Sequence, residues 1–408
     1  MMLSLQPLIE LLLGDVVSMI PPQDITFTAR NPPADFTKLD IKGPPYPDRK
    51  PEMRKGCTLG WKKSSSLGGG TKPMDLEDLG EHYYGLPLGL LISIDKIGHI
   101  YTKFGGIVDL GHVRDHADIT RYFASEVMNK FKNGGEVPFG DDTDLFRSET
   151  GKRIIVIKKQ GVDPSPFQAA VIAAAISYDI AVWHEIATYQ TWQDYSSFSP
   201  EDNFSNLLGA YLGFFACLTQ DKPYNEAMSI ALFWILRKLG AQPKSVTIEA
   251  VKFLKNKWYH YNTDTSTRPD TYLVLDKRHI ETGLNENLYT GITPSFMVSP
   301  WLLTDIKRTP LPLECQQALV ETLEPQSNYR VSIKLPTKDE NGVPLQNYYS
   351  FKVEKTNNKD NSIFGSSSIA GQVNSSTLGL IVEEIRSRLS NKHRPDHLYS
   401  NANFDKPE

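Results

Sequence analysis

Cysteine is scarce in this sequence, with three residues among 408. No two of them form a CxxC pair, so neither a disulfide framework nor a cysteine-rich metal motif is predicted. Cys217 lies in an apolar run and is interpreted as a small core residue, while a Cys57–Cys315 bridge stays open. Cysteine usage therefore leaves the redox compartment undetermined.

Several common motifs of catalysis and nucleotide binding are also missing. The chain has no GxSxG elbow, no GxxxxGK phosphate-binding loop and no GxGxxG fingerprint, so no nucleotide cofactor is expected. The net charge is only −4 and no long basic run occurs. Nucleic acid is therefore not predicted as a partner.

The chain also has no uninterrupted apolar stretch long enough for a transmembrane span. Its first 20 residues lack Lys and Arg, and Glu10 and Asp15 interrupt their apolar run. Apolar residues recur there at helical spacing before Pro21: Leu5, Leu8, Ile9, Leu12, Val16 and Met19. We interpret the segment as an amphipathic helix, the alternative being a targeting remnant.

The content of apolar residues, 40 %, and of charged residues, 23 %, is typical of a globular protein. The patterns predict an α+β fold with a mainly helical core and small antiparallel sheet elements. Residues 1–325 are predicted to form the main, mostly helical domain, with a loop-rich N-terminal part. Residues 326–408 are predicted to form a hairpin, a polar loop and a C-terminal helix that packs on it.

The local signals predict where most elements lie. Ser165, Pro166 and Gln168 form a capping box at the start of one long apolar helix. Ser199 and Pro200 open the next helix in the same way. Strands are predicted at "LPLGLLISID", at "GHIYTKFGGIVD" with a Gly-Gly turn, and at "RIIVIKK"; a hairpin is predicted between "NYRVSIKL" and "NYYSFKVE".

Two histidines four residues apart, His112 and His116, begin the most informative segment. On a helix starting near Gly111 they flank an apolar stripe formed by Val113, Ala117, Ala124, Val127 and Phe131. The opposite side carries Arg114, Asp115, Asp118 and Arg121. Imidazoles at this spacing are able to bind one zinc ion, with Asp109 as an oxygen ligand or supporting acceptor. The alternative is a pair of ordinary core-edge histidines.

The sequence "WHEIATYQ" places His184 and Glu185 on an apolar helix, where a buried carboxylate needs a partner or a wet cleft. The pair is similar to the zinc-protease HExxH signature, but residue 188 is Thr. Any further metal ligands must therefore come from elsewhere, and His112 and His116 are the obvious ones. The alternative is a structural ion pair or a histidine that interacts with the helix dipole.

A third polar block, "SPEDNFSNLLGAYLG", suits a helix N-terminus, so Glu201 and Asp202 have a capping interpretation. Helix rise places Asn206 level with Glu185 if the two helices are antiparallel. Asn203 and Asn206 would then orient Glu185, bind a substrate carbonyl or satisfy one another. A small-residue face formed by Gly209 and Gly213 would allow close helix contact.

Taken together, "RKGCTLGW", "GGIVDLGHVRDHADIT", "WHEIATYQTW" and "SSFSPEDNFSNLLGAYLG" resemble a bacterial family known only as a domain of unknown function. The resemblance covers roughly residues 54–240. Members often look like exported proteins or lipoproteins, so it implies the periplasm or envelope. A cytoplasmic location is expected instead if the N-terminus is a structural helix. The resemblance transfers no reaction.

The sequence therefore favours a metal-assisted or acid/base hydrolase that acts on an envelope polymer or a peptide and uses zinc or another divalent metal. Glu185 and His184 are the predicted catalytic residues, and His112, His116 and His184 the predicted metal ligands. The predicted supporting residues are Asp109, Asn203, Asn206 and Asp202. The alternative is a non-enzymatic envelope-binding or scaffold protein in which this cluster is structural.

Overall fold

The computed structural model describes residues 50–51, 58–59, 61–62, 70–85, 96–102, 106–139, 152–189, 200–219, 222–253, 259–262, 274–278, 297–298, 332–333, 335–354 and 373–391. Within these ranges the helices are α1 (Leu110–Lys130), α2 (Pro166–Tyr189), α3 (Pro200–Leu218), α4 (Tyr224–Lys238), α5 (Lys244–Phe253) and α6 (Leu378–Asn391). The predicted α+β class with a mainly helical core is confirmed. The predicted N-terminal helix, the strand at 86–95 and the Ser199 cap lie outside the described residues.

The strands are short and form four small sheets. They are β1 (Thr58–Leu59), β2 (Trp61–Lys62), β3 (Gly70–Pro73), β4 (Gly98–Thr102), β5 (Gly106–Asp109), β6 (Gly135–Pro138), β7 (Lys152–Ile157), β8 (Tyr259–Asn262), β9 (Val274–Arg278), β10 (Met297–Val298), β11 (Ser332–Ile333) and β12 (Tyr349–Glu354). The sheet orders are β1-β3-β4-β5, β2-β9-β8, β12-β7-β6 and β10-β11. The antiparallel pair β4–β5 leads directly into α1.

Helices α1, α2 and α3 form the centre of the molecule, and glycine lets two of them meet closely. A Cβ atom on Gly209 would lie 2.4 Å from the Val113 carbonyl oxygen, and one on Gly213 would lie 2.7 Å from that of Ala117. Only a residue without a side chain fits such a contact. The two pairings also show that α3 runs parallel to α1, with backbone against backbone.

The charged side of α1 is buried, although the sequence placed it opposite the core. Arg114 and Asp118 are fully buried because the segment at 75–85 covers them. The Arg114 guanidinium donates to the Leu79 carbonyl at 2.7 Å, and Asp118 Oδ1 lies 2.8 Å from His82 Nε2. We call His82, Arg114 and Asp118 the closed charge cluster. Its members join the 75–85 segment to α1.

Helix α2 begins as the sequence predicted. The Ser165 hydroxyl accepts from the Gln168 backbone N–H at 2.9 Å, and Pro166 is the first helical residue. The Gln168 side chain does not complete the capping box, since it donates to Asp339 at 2.8 Å. Residues 166–187 are long and apolar enough to cross a membrane, but 94 % of their most apolar window is buried inside the protein. Core helices often share this property.

The predicted C-terminal hairpin is wrong. Strand β12 pairs in antiparallel register with β7 over six residues, from Tyr349 opposite Ile157 to Glu354 opposite Lys152, while β11 pairs with β10. Strand β7 pairs along its whole length of six residues with β12, and a local hairpin would leave this edge of β7 unpaired. The C-terminal part therefore completes a sheet begun near the middle of the chain.

Candidate metal centre

The N-terminus of α1 is fixed by Asp109, the last residue of β5. One of its carboxylate oxygens, Oδ1, accepts from the backbone N–H groups of Gly111 and His112 at 2.7 and 3.3 Å. The other, Oδ2, lies 2.9 Å from His99 Nε2, because His99 stands directly opposite Asp109 in the β4–β5 register. The carboxylate is fully buried and both of its oxygens are positioned.

His112 contacts α3 through both ring nitrogens. Its Nδ1 lies 2.8 Å from Asn206 Oδ1, and its Nε2 lies 3.4 Å from Asp202 Oδ1. Because the Asn206 oxygen only accepts, Nδ1 carries the proton of this bond. Nε2 is therefore the nitrogen that faces the carboxylate.

Asn206 connects His112 to α2. Its amide nitrogen lies 3.5 Å from Glu185 Oε1, which directs the amide oxygen toward the imidazole. The His112 and His184 rings are 6.2 Å apart between centroids. Asn206 and Glu185 thus sit level on neighbouring helices, as the sequence predicted, in the order Glu185, Asn206, His112.

Three potential ligands converge at this point. One ligand atom from each of Asp109, His112 and Asp202 lies within 4.8 Å of the others, and all three side chains are buried. Within the described part of the chain this group differs from the predicted three-histidine set. The predicted roles of His184 and Glu185 beside it stay predictions, and the side chain of Asn203 lies outside the described residues.

His116 lies one helical turn further along α1 and is held by α2. The Ser177 hydroxyl donates to the His116 carbonyl at 2.9 Å, so its lone pairs face His116 Nδ1 at 3.1 Å. Nδ1 therefore carries the ring proton. Nε2 is left with a lone pair, is fully buried and has no hydrogen-bond partner within the part of the chain that the structure describes. A buried acceptor in this state costs about 1–3 kcal/mol, which a bound cation would offset.

The electrostatics separate the two histidines of α1. Burial would lower the pKa of His112, but the carboxylates of Asp202, Asp109 and Glu185 raise it to about 9. Burial and the nearby imidazoles of His112 and His184 lower the pKa of His116 well below its usual value. Burial would raise the pKa of Asp109, but the His99 imidazole lowers it to about 2. In the metal-free protein the site thus contains an imidazolium among carboxylates and one neutral imidazole.

Three buried residues of the site escaped the sequence prediction. His99 supports Asp109, the Ser205 hydroxyl accepts from the Asp109 backbone N–H at 2.8 Å, and Glu201 is fully buried near the start of α3. A signal for His99 existed, because folding "GHIYTKFGGIVD" into a hairpin places it opposite Asp109. Glu201 was given only a capping interpretation.

The comparison with known proteins gives a family and no activity. The model of the family described as "Protein of unknown function (DUF4056)" matches residues 52–290. The chain belongs to this family. The match confirms the predicted resemblance to an uncharacterised family and extends beyond residue 240 on its C-terminal side. No curated protein and no solved structure matches the chain. The functional argument therefore depends on the site itself.

Proposed function

We propose that this protein is a metal-dependent hydrolase with its metal centre at the meeting point of α1 and α3. The observation that carries the proposal is the placement of His112 Nε2 and Asp202 Oδ1, 3.4 Å apart and both buried. A charge-assisted N–H···O bond is usually about 2.7–2.9 Å long, so the pair is too far apart for a tight one. Two ligands bound at about 2.1 Å to a tetrahedral ion lie about 3.4 Å apart.

The residues around this pair support the same interpretation. Asp109 supplies the third potential ligand atom, an oxygen, and His99 and the α1 backbone hold its carboxylate in place. Glu185 and Asn206 fix the ring orientation of His112, as carboxylates and carbonyls do behind many metal-binding histidines. Nitrogen and oxygen donors in this combination favour zinc or a similar divalent ion.

The proposed chemistry uses the acid/base groups beside the ion. A metal of this type lowers the pKa of bound water and polarises a carbonyl oxygen. Glu185 is the proposed general base, because only the side-chain amide of Asn206 separates its carboxylate from the His112 ring along this chain of contacts. His184, whose ring faces that of His112, is the proposed proton donor to the leaving group. His116 is a proposed additional ligand through its unpartnered Nε2.

The proposed substrate is an envelope polymer or a peptide. This assignment rests on the resemblance to exported bacterial proteins rather than on a shaped pocket. Amide and glycosidic bonds both suit metal-activated water or an acid/base pair. Peptide and peptidoglycan fragments are therefore the first substrates to assay.

The test is metal analysis and hydrolysis by the purified full-length chain. We expect about one equivalent of zinc or another divalent ion, and release of amine or reducing ends from a peptide or peptidoglycan library. A chelator should abolish this activity and added metal should restore it. Glu185→Gln should lose turnover while it still binds metal. A metal-free protein whose activity ignores chelators would overturn the proposal.

The same experiment separates the alternative, a non-enzymatic binding or scaffold protein. In that case His184→Ala and Glu185→Gln lower the melting temperature and leave ligand binding intact. A stoichiometric metal without hydrolysis of any library member would also reject the enzyme in favour of this alternative.

A further inference from the structure

A cavity lies away from the candidate metal centre, between α2, β12 and the turn that precedes α6. Its volume is about 780 Å³, within the usual range for small-molecule sites. Apolar side chains form much of its wall, among them Leu345, Phe351, Val353 and Val373. Asp179 of α2 also lines it, and the side chain of this aspartate is only 7 % exposed.

Asp179 uses one carboxylate oxygen inside the protein and leaves the other for the cavity. Oδ2 accepts from the Tyr349 hydroxyl at 3.0 Å and from the Ser375 hydroxyl at 2.7 Å. Oδ1 has no hydrogen-bond partner among the described residues, and it is not among the fully enclosed polar atoms. Oδ1 therefore keeps access to open space, and among the described residues Asp179 is one of those that line this cavity.

A buried carboxylate oxygen of this kind calls for a donor. Burial raises the pKa of Asp179 to about 6 despite the two hydroxyl donors, so the group is mostly ionised at neutral pH and incompletely compensated. An ionised carboxylate accepts only, and its strongest partners are cationic N–H groups. A ligand ammonium would supply the missing interaction.

The lysines of the same cavity restrict the ligand further. Lys158 and Lys352 also line it, and both are exposed. Lys158 Nζ donates to the Gln346 carbonyl at 2.6 Å, which leaves it further N–H groups. A simple amine would be repelled by these charges, whereas a ligand with both an ammonium and a carboxylate is complementary to the whole set.

We propose that this cavity binds a small zwitterion of the amino-acid or short-peptide class. Its ammonium group donates to Asp179 Oδ1, its carboxylate lies toward Lys158 and Lys352, and its apolar side chains contact the apolar wall. This site is separate from the candidate metal centre. Asp179 precedes Glu185 by six residues, about 9 Å along α2 and about 120° around it.

Isothermal titration of the full-length protein with three matched probes tests the proposal. The probes are leucyl-leucine, its N-acetyl form without the ammonium, and its C-terminal amide without the carboxylate. We expect leucyl-leucine to bind at least about tenfold more tightly than either blocked form, since each removes one charged contact. Equal binding of the acetylated form, or no binding of leucyl-leucine at millimolar concentration, would overturn the proposal. If the C-terminal amide binds as tightly as leucyl-leucine, the ligand carboxylate makes no contact and the proposal of a zwitterionic ligand is wrong.

A variant pair tests the position of the site. Asp179→Asn turns a carboxylate into an amide whose N–H₂ group faces the ammonium, so leucyl-leucine binding should weaken at least about tenfold. The matched control is Asp163→Asn, an exposed aspartate paired with Lys132, which should leave binding unchanged. Unchanged binding by folded Asp179→Asn would place the ligand elsewhere and refute the assignment. The three-probe comparison uses the natural sequence, so it decides the question even if this variant fails to fold.

Discussion

Helix α1 contributes to two buried charge clusters that differ in how their charges are matched. In the closed charge cluster, His82 lies between Arg114 and Asp118, and both Asp118 oxygens have partners, one being the Gly85 N–H at 3.1 Å. In the candidate metal centre, His112 Nε2 and Asp202 Oδ1 face each other at 3.4 Å with Asp109 nearby. In the first cluster one histidine contacts both a guanidinium and a carboxylate, whereas in the second two carboxylates and one imidazole converge on a single point.

This difference shows which feature of a buried charge points to function. Burial alone does not, because Arg114 and Asp118 are as deeply buried as any group of the candidate centre. In the candidate centre, potential ligand atoms of Asp109, His112 and Asp202 converge within 4.8 Å, which is the arrangement that the proposed cation would use. The closed charge cluster joins the 75–85 segment to α1, whereas the candidate centre carries the proposed metal site.

The largest effect is expected in the closed charge cluster. Asp118→Ala removes a fully buried carboxylate that is the acceptor of both His82 and the Gly85 N–H, so the free energy of unfolding should fall by about 3–5 kcal/mol. Urea unfolding followed by tryptophan fluorescence measures the loss. Asp163→Asn, which breaks an exposed pair with Lys132, should cost less than about 1 kcal/mol. Similar losses for the two variants would contradict the structural role.

The second effect concerns the candidate centre. Zinc at about 100 times its dissociation constant should stabilise the natural protein by about 2.7 kcal/mol, read as a rise in melting temperature. His112→Gln and Asp202→Asn should abolish this rise, since each removes a proposed ligand. A surface variant such as Asp163→Asn should retain it. If His112→Gln keeps the full rise, zinc binds elsewhere.

A smaller effect on metal binding is expected from Asn206, which contacts the proposed ligand His112 without being a ligand itself. Asn206→Ala removes the acceptor that orients His112, so metal affinity should fall by about 10–100-fold, the usual cost of losing such support. Competition with a chromophoric chelator measures the affinity. Thr219, the residue just after α3, donates its hydroxyl to the Phe215 carbonyl. Thr219→Ala removes this buried hydrogen bond as well, but should leave metal affinity unchanged. An equal loss in both variants would indicate general damage to the helix.

An effect of similar size is expected outside both clusters, as a pH dependence at Asp179, a third buried charge. Burial raises its folded-state pKa to about 6, above its ordinary value of 3.8, so the folded protein binds this proton more tightly than the unfolded chain. Stability contributed by the proton is complete below about pH 4 and is lost as the pH rises through 6. Asp179→Asn should remove this slope, by about 1–3 kcal/mol between pH 4 and 7. Parallel stability profiles for the two proteins would reject the raised pKa.

The helical part of the fold was predictable from local signals. Apolar spacing and capping placed α1 and α2 within one residue of their observed starts, Leu110 and Pro166. The level placement of Asn206 and Glu185 followed from helix rise together with the assumption that α2 and α3 are antiparallel. Both results depend on interactions within a helix or between neighbours in the chain.

Contacts between distant segments escaped the prediction. The pairing of β12 with β7 joins residues about two hundred positions apart, and neither strand's pattern specifies its partner. The burial of Arg114 and Asp118 depends on the segment at 75–85. The sequence of this segment has no hydrophobic periodicity from which its packing on α1 could be predicted. Asp179 and Glu185 are both acidic residues on the same apolar helix, so the argument made for Glu185 applied equally to Asp179. No local signal in the sequence distinguishes a carboxylate that faces a cavity from a structural one.

The glycine contacts between α1 and α3 carry a consequence for motion in the candidate centre. Gly209 follows Asn206 by three residues, and its partner Val113 follows His112 by one, so the closest approach of the two helices lies within a turn of the His112–Asn206 bond. These contacts set the separation of the two helix backbones beside the centre. We therefore expect any opening of the candidate centre to move α1 and α3 together, with the relative displacement confined to α2.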